Sequence, residues 1–356
     1  MNQTCSLPKT KASPRRAGSW DSCSRLNQRQ VHQSNRTEIS IGHGARSTLG
    51  GFMLALRKRH IGAAAVMAIS LSLTLSACGG SDDAAPAESA TSSAAATDEA
   101  VVALVPEAIA ADGKLTFATE LGYPPFEYVE ADGTTLTGFD IDLATAAAGL
   151  MGLTPEFKNS SFDSIIPSVK SNRYEAGISS FTVNAEREKQ VDFATYLSSG
   201  DAGVVAAGNP KGIALDLTIC GNKVGVLKGS TQETVSAPQL NDACKKAGKP
   251  EAEFTVIAAS DQMPIALQSG RVDALVVDSG NAGDIAKNSK GKFEVPAGAL
   301  LNPVLLGALT AKDSGLAPAL QAAFQKLIDN GTYQQIADKY NLSTSVITTS
   351  EVNPKV

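Results

Sequence analysis

Histidine and tryptophan are scarce in this chain of 356 residues, which contains three of the former and one of the latter. All four precede Cys78, so the chain after that cysteine has neither. Without an imidazole, it cannot supply the base of a Ser-His-Asp triad or a histidine ligand for a metal. Cys220 and Cys244 are the only later cysteines, which are too few thiolates for a zinc site. We therefore predict a protein without a catalytic triad, metal site or cofactor.

Acidic side chains are rare at the start of the chain and in excess later. Residues 1–77 carry 11 Lys and Arg against 2 Asp and Glu, whereas the remainder carries 20 against 34. This division indicates a processed leader followed by an acidic domain. The acidic balance argues against nucleic acid as a partner.

A run long enough to span a membrane is also missing. Residues 57–60 are basic (RKRH), and the uncharged apolar run over 61–75 is short for a transmembrane helix. It ends at LSAC, residues 75–78, a cleavage pattern of small residues. This pattern resembles the lipobox of bacterial lipoproteins, in which the cysteine is lipidated. We therefore predict a signal peptide over 53–77 and a lipid anchor at Cys78.

Two segments beside this signal have compositions typical of unfolded chain. Residues 1–52 are rich in Ser, Arg and Gln and are predicted to be disordered. Because a lipoprotein signal begins near its basic residues, we interpret Met53 as the translation start; a genuine cytosolic extension is the alternative. The Ala-, Ser- and Asp-rich run after Cys78 predicts a solvated tether over 78–108. The domain beyond it is expected outside the cell membrane, anchored to the outer face.

Cys220 and Cys244 are expected to form a disulfide, because exported proteins meet an oxidising environment. Two free buried thiols are the alternative. Closing a loop of about 25 residues would stabilise the fold by roughly 3–4 kcal/mol.

Strand-like and helical patterns alternate along the domain. Strands are predicted at 114–119, 155–158, 223–227, 253–258 and 272–278. Helices are predicted at 140–151, 161–172, 261–269 and 314–330, with a final short helix from Thr332. Ser230 and Glu233 fit a capping box, which predicts a further helix start. This alternation predicts parallel α/β sheets, twice over.

Hydroxyl groups cluster ahead of one arginine in SSFTVNAER, residues 179–187. A guanidinium group binds a carboxylate with two parallel hydrogen bonds, and neighbouring hydroxyls complete the coordination. The pattern favours an anion site at Arg187, with a surface arginine after a polar turn as the alternative.

Six motifs follow one another along the domain. They are GYPPFEY (122–128), GFDIDLA (138–144), the run over 161–193, GVLKGSTQE (225–233), GRVDALVVDS (270–279) and NGTYQQIADKYNL (330–342). This series resembles the polar amino-acid family of solute-binding proteins of ABC importers, typified by lysine/arginine/ornithine- and glutamine-binding proteins. One departure is Thr195-Tyr196, where many relatives have Pro-Tyr.

The resemblance implies an α/β, periplasmic-binding-protein-like fold of type II. Its two lobes, each a mixed sheet flanked by helices, would be joined by two crossover strands, at 202–207 and 305–310. The expected boundaries are 109–203 with 309–345 for lobe 1, 210–303 for lobe 2, and 346–356 for a C-terminal tail.

The resemblance also implies the roles of individual residues around an amino acid held between the lobes. Arg187 would bind the carboxylate with Ser180 and Thr182, helped by Thr231 from the opposite lobe. Asp278 would bind the ammonium group. Ser179 is a further expected site residue. Tyr123 and Phe162 would be aromatic contacts of the ligand. Glu120 and Asp201 would set specificity, and Phe181 and Leu227 would belong to the lining.

The function implied is that of a monomeric receptor which delivers a polar amino acid to the membrane permease of an ABC importer. A basic or amide-bearing ligand is favoured, because a buried Glu120 needs a partner. Two alternatives remain open. One is a cyclohexadienyl-dehydratase-like enzyme on the same scaffold, and the other is a sensory amino-acid-binding protein.

Overall fold

The structure is a computed structural model that describes residues 97–298 and 300–355. The predicted disordered extension (1–52), the signal peptide (53–77), the lipidated Cys78 and most of the predicted tether lie outside these residues. Within the described part, no helix combines the length and the apolar character that a membrane crossing needs.

Strands and helices alternate along the described chain. The strands are β1 Lys114–Thr119, β2 Tyr128–Val129, β3 Leu136–Thr137, β4 Thr154–Asn159, β5 Ala176–Gly177, β6 Val191–Ala206, β7 Lys223–Leu227, β8 Glu253–Ile257, β9 Ala274–Asp278, β10 Phe293–Glu294 and β11 Leu301–Ala311. The helices are α1 Glu99–Val102, α2 Glu107–Ala110, α3 Phe139–Leu150, α4 Phe162–Lys170, α5 Ala185–Glu188, α6 Ala237–Lys246, α7 Gln262–Gln268, α8 Ser279–Asn288, α9 Leu316–Asp329 and α10 Thr332–Lys339. A π-helical turn, Gln232–Ser236, leads into α6.

The predicted alternation is confirmed, and β1 and β7 have the predicted bounds. Helix α4 forms although Pro167 lies in its body. One local feature differs from the prediction. The helix predicted to start at Ser230 begins with the π-helical turn, and Pro238, which has no N–H to donate, follows it at once.

Nine strands of the described residues form one mixed sheet. Its order is β4-β1-β5-β11-β6-β9-β7-β8, with β10 paired to β6. The strands β4-β1-β5 pair in parallel, and so do β9-β7-β8. The antiparallel pair β11 and β6 lies between these two groups. The two-lobed α/β fold with two joining strands is therefore confirmed, and its two sheets are continuous through β6 and β11.

Strand β6 serves both parallel groups because its partner changes along its length. Residues 191–201 pair with β11, and residues 201–205 pair with β9. Asp201 lies at the change and is paired with Leu301 on one side and Asp278 on the other. The lobe boundaries at 203, 210, 303 and 309 stay a prediction.

The apolar faces predicted for the helices are buried. On α9, Leu316, Leu320, Phe324 and Leu327 are almost completely buried against β1, α3 and β6. On α4, Ile165 and Val169 are fully buried in a second cluster with residues of β6, β7 and β9. Burial of these side chains removes apolar surface from water and stabilises the sheet between its helices.

The two ends of the described chain are packed on the domain. Residues 97–108, which we assigned to the tether, include α1 and the start of α2. Val101 is buried, and Asp98 forms a salt bridge of 2.9 Å with Lys326. In the predicted tail, Asn353 Oδ1 accepts a hydrogen bond from the backbone N–H of Phe193 in β6, at 2.8 Å. Both segments thus contribute contacts to lobe 1.

The predicted disulfide is confirmed. Cys220 is bonded to Cys244, with 5.7 Å between their Cα atoms. The bond ties the segment before β7 to the last turns of α6.

Candidate functional site

One cavity is lined by ten of the twelve residues that the sequence analysis placed around the ligand, the exceptions being Phe181 and Asp201. They sit on elements that begin where parallel strands end: Glu120 follows β1, Ser179 follows β5, Thr231 follows β7, and Asp278 ends β9. In open α/β sheets, ligands bind outside the carboxyl ends of such strands. The cavity holds about 20 Å³, the space of about one water molecule, because its polar side chains meet across it.

Arg187 is buried in the wall of this cavity. Asn184 caps the short helix α5 by accepting a hydrogen bond from the Arg187 backbone N–H, at 2.9 Å. The guanidinium group donates to the carbonyl oxygens of Thr182, at 2.9 Å, and Gly229, at 3.1 Å. Burial lowers the pKa of Arg187 to about 10, and the charge of Asp278 opposes this shift. Arg187 therefore carries its charge at neutral pH and bridges the segments after β5 and β7.

The aromatic contacts around Arg187 differ in part from the prediction. Phe162 lines the cavity and stacks on Phe181, with ring centroids 4.4 Å apart. The guanidinium carbon lies 5.6 Å from the Phe162 ring centroid and 5.2 Å from that of Phe181. Phe181 itself is behind the lining, whereas Leu227 is part of it. Both rings favour the cationic form through their π faces.

The hydroxyl groups expected beside Arg187 face the same cavity. Ser180 has a left-handed backbone with φ of 49°, and its buried Oγ has no hydrogen-bond partner among the described residues. Thr182 Oγ1 and Thr231 Oγ1 are 3.2 Å apart, joining the two sides of the cavity. A buried hydroxyl without a partner is costly, so Ser180 Oγ is available to a bound anion.

Asp278 lies across the cavity from this cluster. Its Oδ2 accepts a hydrogen bond of 2.8 Å from the Tyr123 hydroxyl, and its Oδ1 accepts one of 3.3 Å from Gln232 Nε2. Gln232 Nε2 also donates to Asp201, at 2.8 Å. Burial, together with the neighbouring charge of Asp201, raises the pKa of Asp278 to about 7. Asp201 thus reaches the cavity through Gln232 and is not itself part of the lining.

Glu120 is the first residue after β1 and is also part of the lining. Its Oε1 accepts a hydrogen bond of 3.0 Å from the backbone N–H of Ser260. Burial raises the pKa of Glu120, because the charged form loses its water. Glu120 and Asp278 therefore place two desolvated carboxyl groups on the cavity that holds Arg187.

Several cavity residues were not predicted from the sequence. They are Glu127, Ser230, Gln232, Val276 and Val277. Glu127 is in the GYPPFEY motif and Gln232 directly follows Thr231, so the motifs contained them without indicating where their side chains point. Within 97–298 and 300–355, no three His, Cys, Asp or Glu side chains are grouped so as to hold a metal ion.

Comparison with known proteins identifies the family. The model of the bacterial extracellular solute-binding proteins, family 3, matches residues 115–343. This chain belongs to that family. The family 3 match includes every residue of the lining.

Family 3 relatives of known name bind amino acids. The arginine-binding protein ArgT of Corynebacterium glutamicum is 33% identical over 253 residues, which cover 71% of this chain and 82% of that protein. An ancestral arginine-binding protein solved with arginine is 33% identical, with a TM-score of 0.57, covering 64% of this chain and 98% of that one. The ancestral amino acid-binding protein AncCDT-1, described as a precursor of cyclohexadienyl dehydratase, is 28% identical, with a TM-score of 0.58, covering 65% of this chain and 97% of that one. These family 3 proteins are named for binding rather than for catalysis.

Proposed function

We propose that this family 3 protein binds an amino acid with a cationic side chain, such as arginine, and delivers it to the permease of an ABC importer. The observation that carries the proposal is the buried Arg187, with hydroxyl donors beside it and Asp278 across the same cavity. A free amino acid presents one carboxylate and one ammonium group. A desolvated anion needs charge-assisted donors, and a desolvated cation needs a carboxylate.

The carboxylate of the ligand would bind Arg187, Ser180 and Thr182. In that position it would accept hydrogen bonds from the guanidinium group in place of the carbonyl oxygens of Thr182 and Gly229. The ammonium group would bind Asp278 in place of the Tyr123 hydroxyl. Tyr123 and Phe162 would then contact the aliphatic part of the ligand from the two sides of the cavity.

The side chain of the ligand would reach Glu120. A cationic group there would ionise this buried carboxyl, since an opposite charge favours the charged form. Arginine and histidine are what several relatives are named for binding, which supports a basic ligand. Glutamine, as an amide-bearing ligand, is the runner-up.

Delivery to a permease would follow from closure of the two lobes. A ligand that contacts Arg187 on one lobe and Thr231 and Asp278 on the other binds the closed form more tightly, so it shifts the population toward closure. We further propose a monomer anchored by lipidated Cys78 on the outer face of the cell membrane. A sensory receptor role would use the same closure.

The experiment that tests this proposal is isothermal calorimetry against a panel of the twenty amino acids with ornithine. Saturable binding of arginine, lysine or ornithine with one site supports it, and the absence of heat for every member contradicts it. Incubation with prephenate and arogenate tests the dehydratase alternative, since formation of product would favour an enzyme.

Replacing Glu120 with glutamine is expected to weaken binding of a basic amino acid by about 10- to 100-fold. The change removes one charge-assisted hydrogen bond, which contributes about 1.5–3 kcal/mol. Affinity for glutamine should change less, because an amide side chain can bond to either residue. Calorimetry with arginine and with glutamine measures the ratio of the two affinities. The matched control is Glu251→Gln at an exposed position, and an unchanged arginine-to-glutamine ratio in Glu120→Gln would remove the specificity role.

Binding is expected to weaken below pH 7 because the ammonium group needs the ionised form of Asp278. The pKa of this carboxyl is raised to about 7 by burial, so the affinity should fall by about tenfold for each pH unit below that value. Above pH 7 it should level off. Calorimetry at pH 5, 6, 7 and 8 measures the profile. At pH 6, two buffers of different ionisation enthalpy should reveal release of a proton, and equal affinity at pH 5 and 8 would contradict this role.

A further inference from the structure

Two carboxyl groups that the proposed binding chemistry does not use lie beside Ser179 and Ser180, one in the cavity lining and one outside it. Glu127 and Asp140 are both fully buried. Glu127 Oε1 accepts a hydrogen bond of 2.5 Å from Ser179 Oγ. Asp140 Oδ2 accepts two hydrogen bonds of 2.8 Å, from the Ser180 backbone N–H and from the Tyr196 hydroxyl. Hydrogen bonds to this pair of carboxyl groups therefore fix the positions of Ser179 and Ser180.

The second oxygen of each carboxyl has no donor. Glu127 Oε2 and Asp140 Oδ1 are buried and have no hydrogen-bond partner among the described residues. The two carboxyl groups bond to adjacent residues, Ser179 and Ser180, and each shifts the pKa of the other. If both were ionised, two negative charges would meet in a low-dielectric interior, which is strongly unfavourable. A single proton between these two oxygens satisfies both of them and removes one charge.

The surroundings decide which carboxyl holds that proton. Asp140 accepts two hydrogen bonds and lies in the first turn of α3, where the helix dipole stabilises an anion. Glu127 accepts only the Ser179 bond. Burial and the adjacent Asp140 raise the pKa of Glu127 well above its usual range, while burial raises that of Asp140 to about 6. Glu127 is thus the donor and Asp140 the ionised acceptor.

The titratable groups that face this pair are acidic or neutral. They are Glu120 after β1, Tyr123 in the following loop and Tyr196 on β6. The charge of Glu120 further disfavours ionisation of Glu127. None of these three groups supplies a positive charge that could replace the proton.

Ser180, one of the two residues that this pair contacts, has an unusual backbone conformation. The φ of 49° at Ser180 is a left-handed conformation, which is unfavourable for a residue with a side chain. Such a conformation persists when its surroundings impose it. Here the Ser180 N–H is held by Asp140, and the preceding Ser179 hydroxyl is held by Glu127, whose other neighbour is Asp140 itself.

We propose that Glu127 and Asp140 share one proton and act together as positioning residues, which hold Ser179 and Ser180 in the turn that presents their polar groups to the ligand. Loss of the proton would place two charges at this point and loosen the turn. The part of this inference that concerns ligand affinity rests on the proposed function, whereas the shared proton does not.

The test of the shared proton uses Glu127→Gln, an uncharged isostere whose amide can donate to Asp140 and accept from Ser179. Because a raised pKa means that the folded wild type retains a proton which the unfolded chain releases, wild-type stability falls as pH rises above about 4.3, the unfolded value. Glu127→Gln has no carboxyl group at this position and therefore does not lose stability in this way as the pH rises. The melting temperature of Glu127→Gln minus that of the wild type should therefore grow between pH 5 and 8, by about 2 °C or more.

The matched control is Glu251→Gln, which removes the same charge at an exposed position and should show no such growth. A temperature difference that stays constant with pH in Glu127→Gln overturns the shared proton. This measurement needs no ligand. A growing difference in a protein that binds no amino acid would leave the shared proton standing and defeat the proposed function instead.

The test of positioning compares Glu127→Ala with Glu127→Gln in arginine binding at pH 7.5. Alanine leaves Ser179 without its acceptor and Asp140 without its donor, so affinity should fall at least tenfold. Glutamine should restore it to within about threefold of the wild type. If Glu127→Gln weakens binding as much as Glu127→Ala, or if neither variant differs from the wild type, the positioning role is overturned. Should Glu127→Ala fail to fold, Glu127→Met takes its place, because it also removes both carboxyl oxygens while keeping most of the side-chain volume.

Discussion

Replacing Arg187 with alanine should weaken amino-acid binding by about 100-fold or more. The ligand carboxylate would enter a buried cavity and lose its charge-assisted partner, and truncation of one member of such a pair costs about 2–5 kcal/mol. The fold should persist, because the guanidinium group forms only two hydrogen bonds, both to carbonyl oxygens. Its charge is also disfavoured by burial, as its lowered pKa indicates.

Calorimetry and the ligand-induced shift in melting temperature measure this effect. Arg173→Ala is the matched control, since Arg173 is exposed and its guanidinium group lies over the ring of Tyr174 in a cation–π pair. Arg187→Lys should recover part of the affinity but not all of it, because an ammonium group cannot form the two parallel bonds of a guanidinium group. A full ligand-induced shift in Arg187→Ala would rule out its role in binding the carboxylate.

Removing the disulfide should lower the free energy of unfolding by roughly 3–4 kcal/mol. The bond links residues 24 positions apart, and closing a loop of that length restricts the unfolded chain. In a domain of this size such a loss corresponds to a fall in melting temperature of about 6–16 °C. The double variant Cys220→Ala with Cys244→Ala suits the test, since Cys244 is fully buried and alanine places no polar group at that position.

Urea unfolding of the wild type and the double variant, each with and without reductant, measures this contribution. Reductant should destabilise the wild type and leave the double variant unchanged. Because neither cysteine lines the candidate cavity, the affinity of the folded protein for its ligand should be the same in both. Equal midpoints for the oxidised wild type and the double variant would contradict the expected stabilisation.

Much of the fold follows from local patterns in the chain. The β7 run over 223–227 and the β1 run over 114–119 occur at their predicted bounds, because a short apolar run between polar turns has few alternatives to a buried strand. The stripe on α9 is buried as its helical period predicts. The π-helical turn before α6 was not predicted, since it depends on how Ser230 and Pro238 share one short segment.

The candidate site was predicted residue by residue only through the resemblance to a family. Composition and spacing indicate an anion site at Arg187 and nothing about Asp278, 91 positions later in the chain. The structure brings both residues to one cavity because β5 and β9 run in opposite directions along β6, so that their carboxyl ends face each other. That the predicted residues bind a ligand stays a prediction.

The sequence by itself determined the order of strands and helices, the disulfide partners and the residue types available for binding, because periodicity, loop length and side-chain chemistry are local properties. Only the tertiary structure decided which buried groups meet. Glu127 contacts Ser179 across 52 positions and Asp140 contacts Tyr196 across 56, and no local pattern encodes such contacts. They arise because strand pairing and helix packing bring distant segments together, and burial then sets the protonation of each carboxyl group.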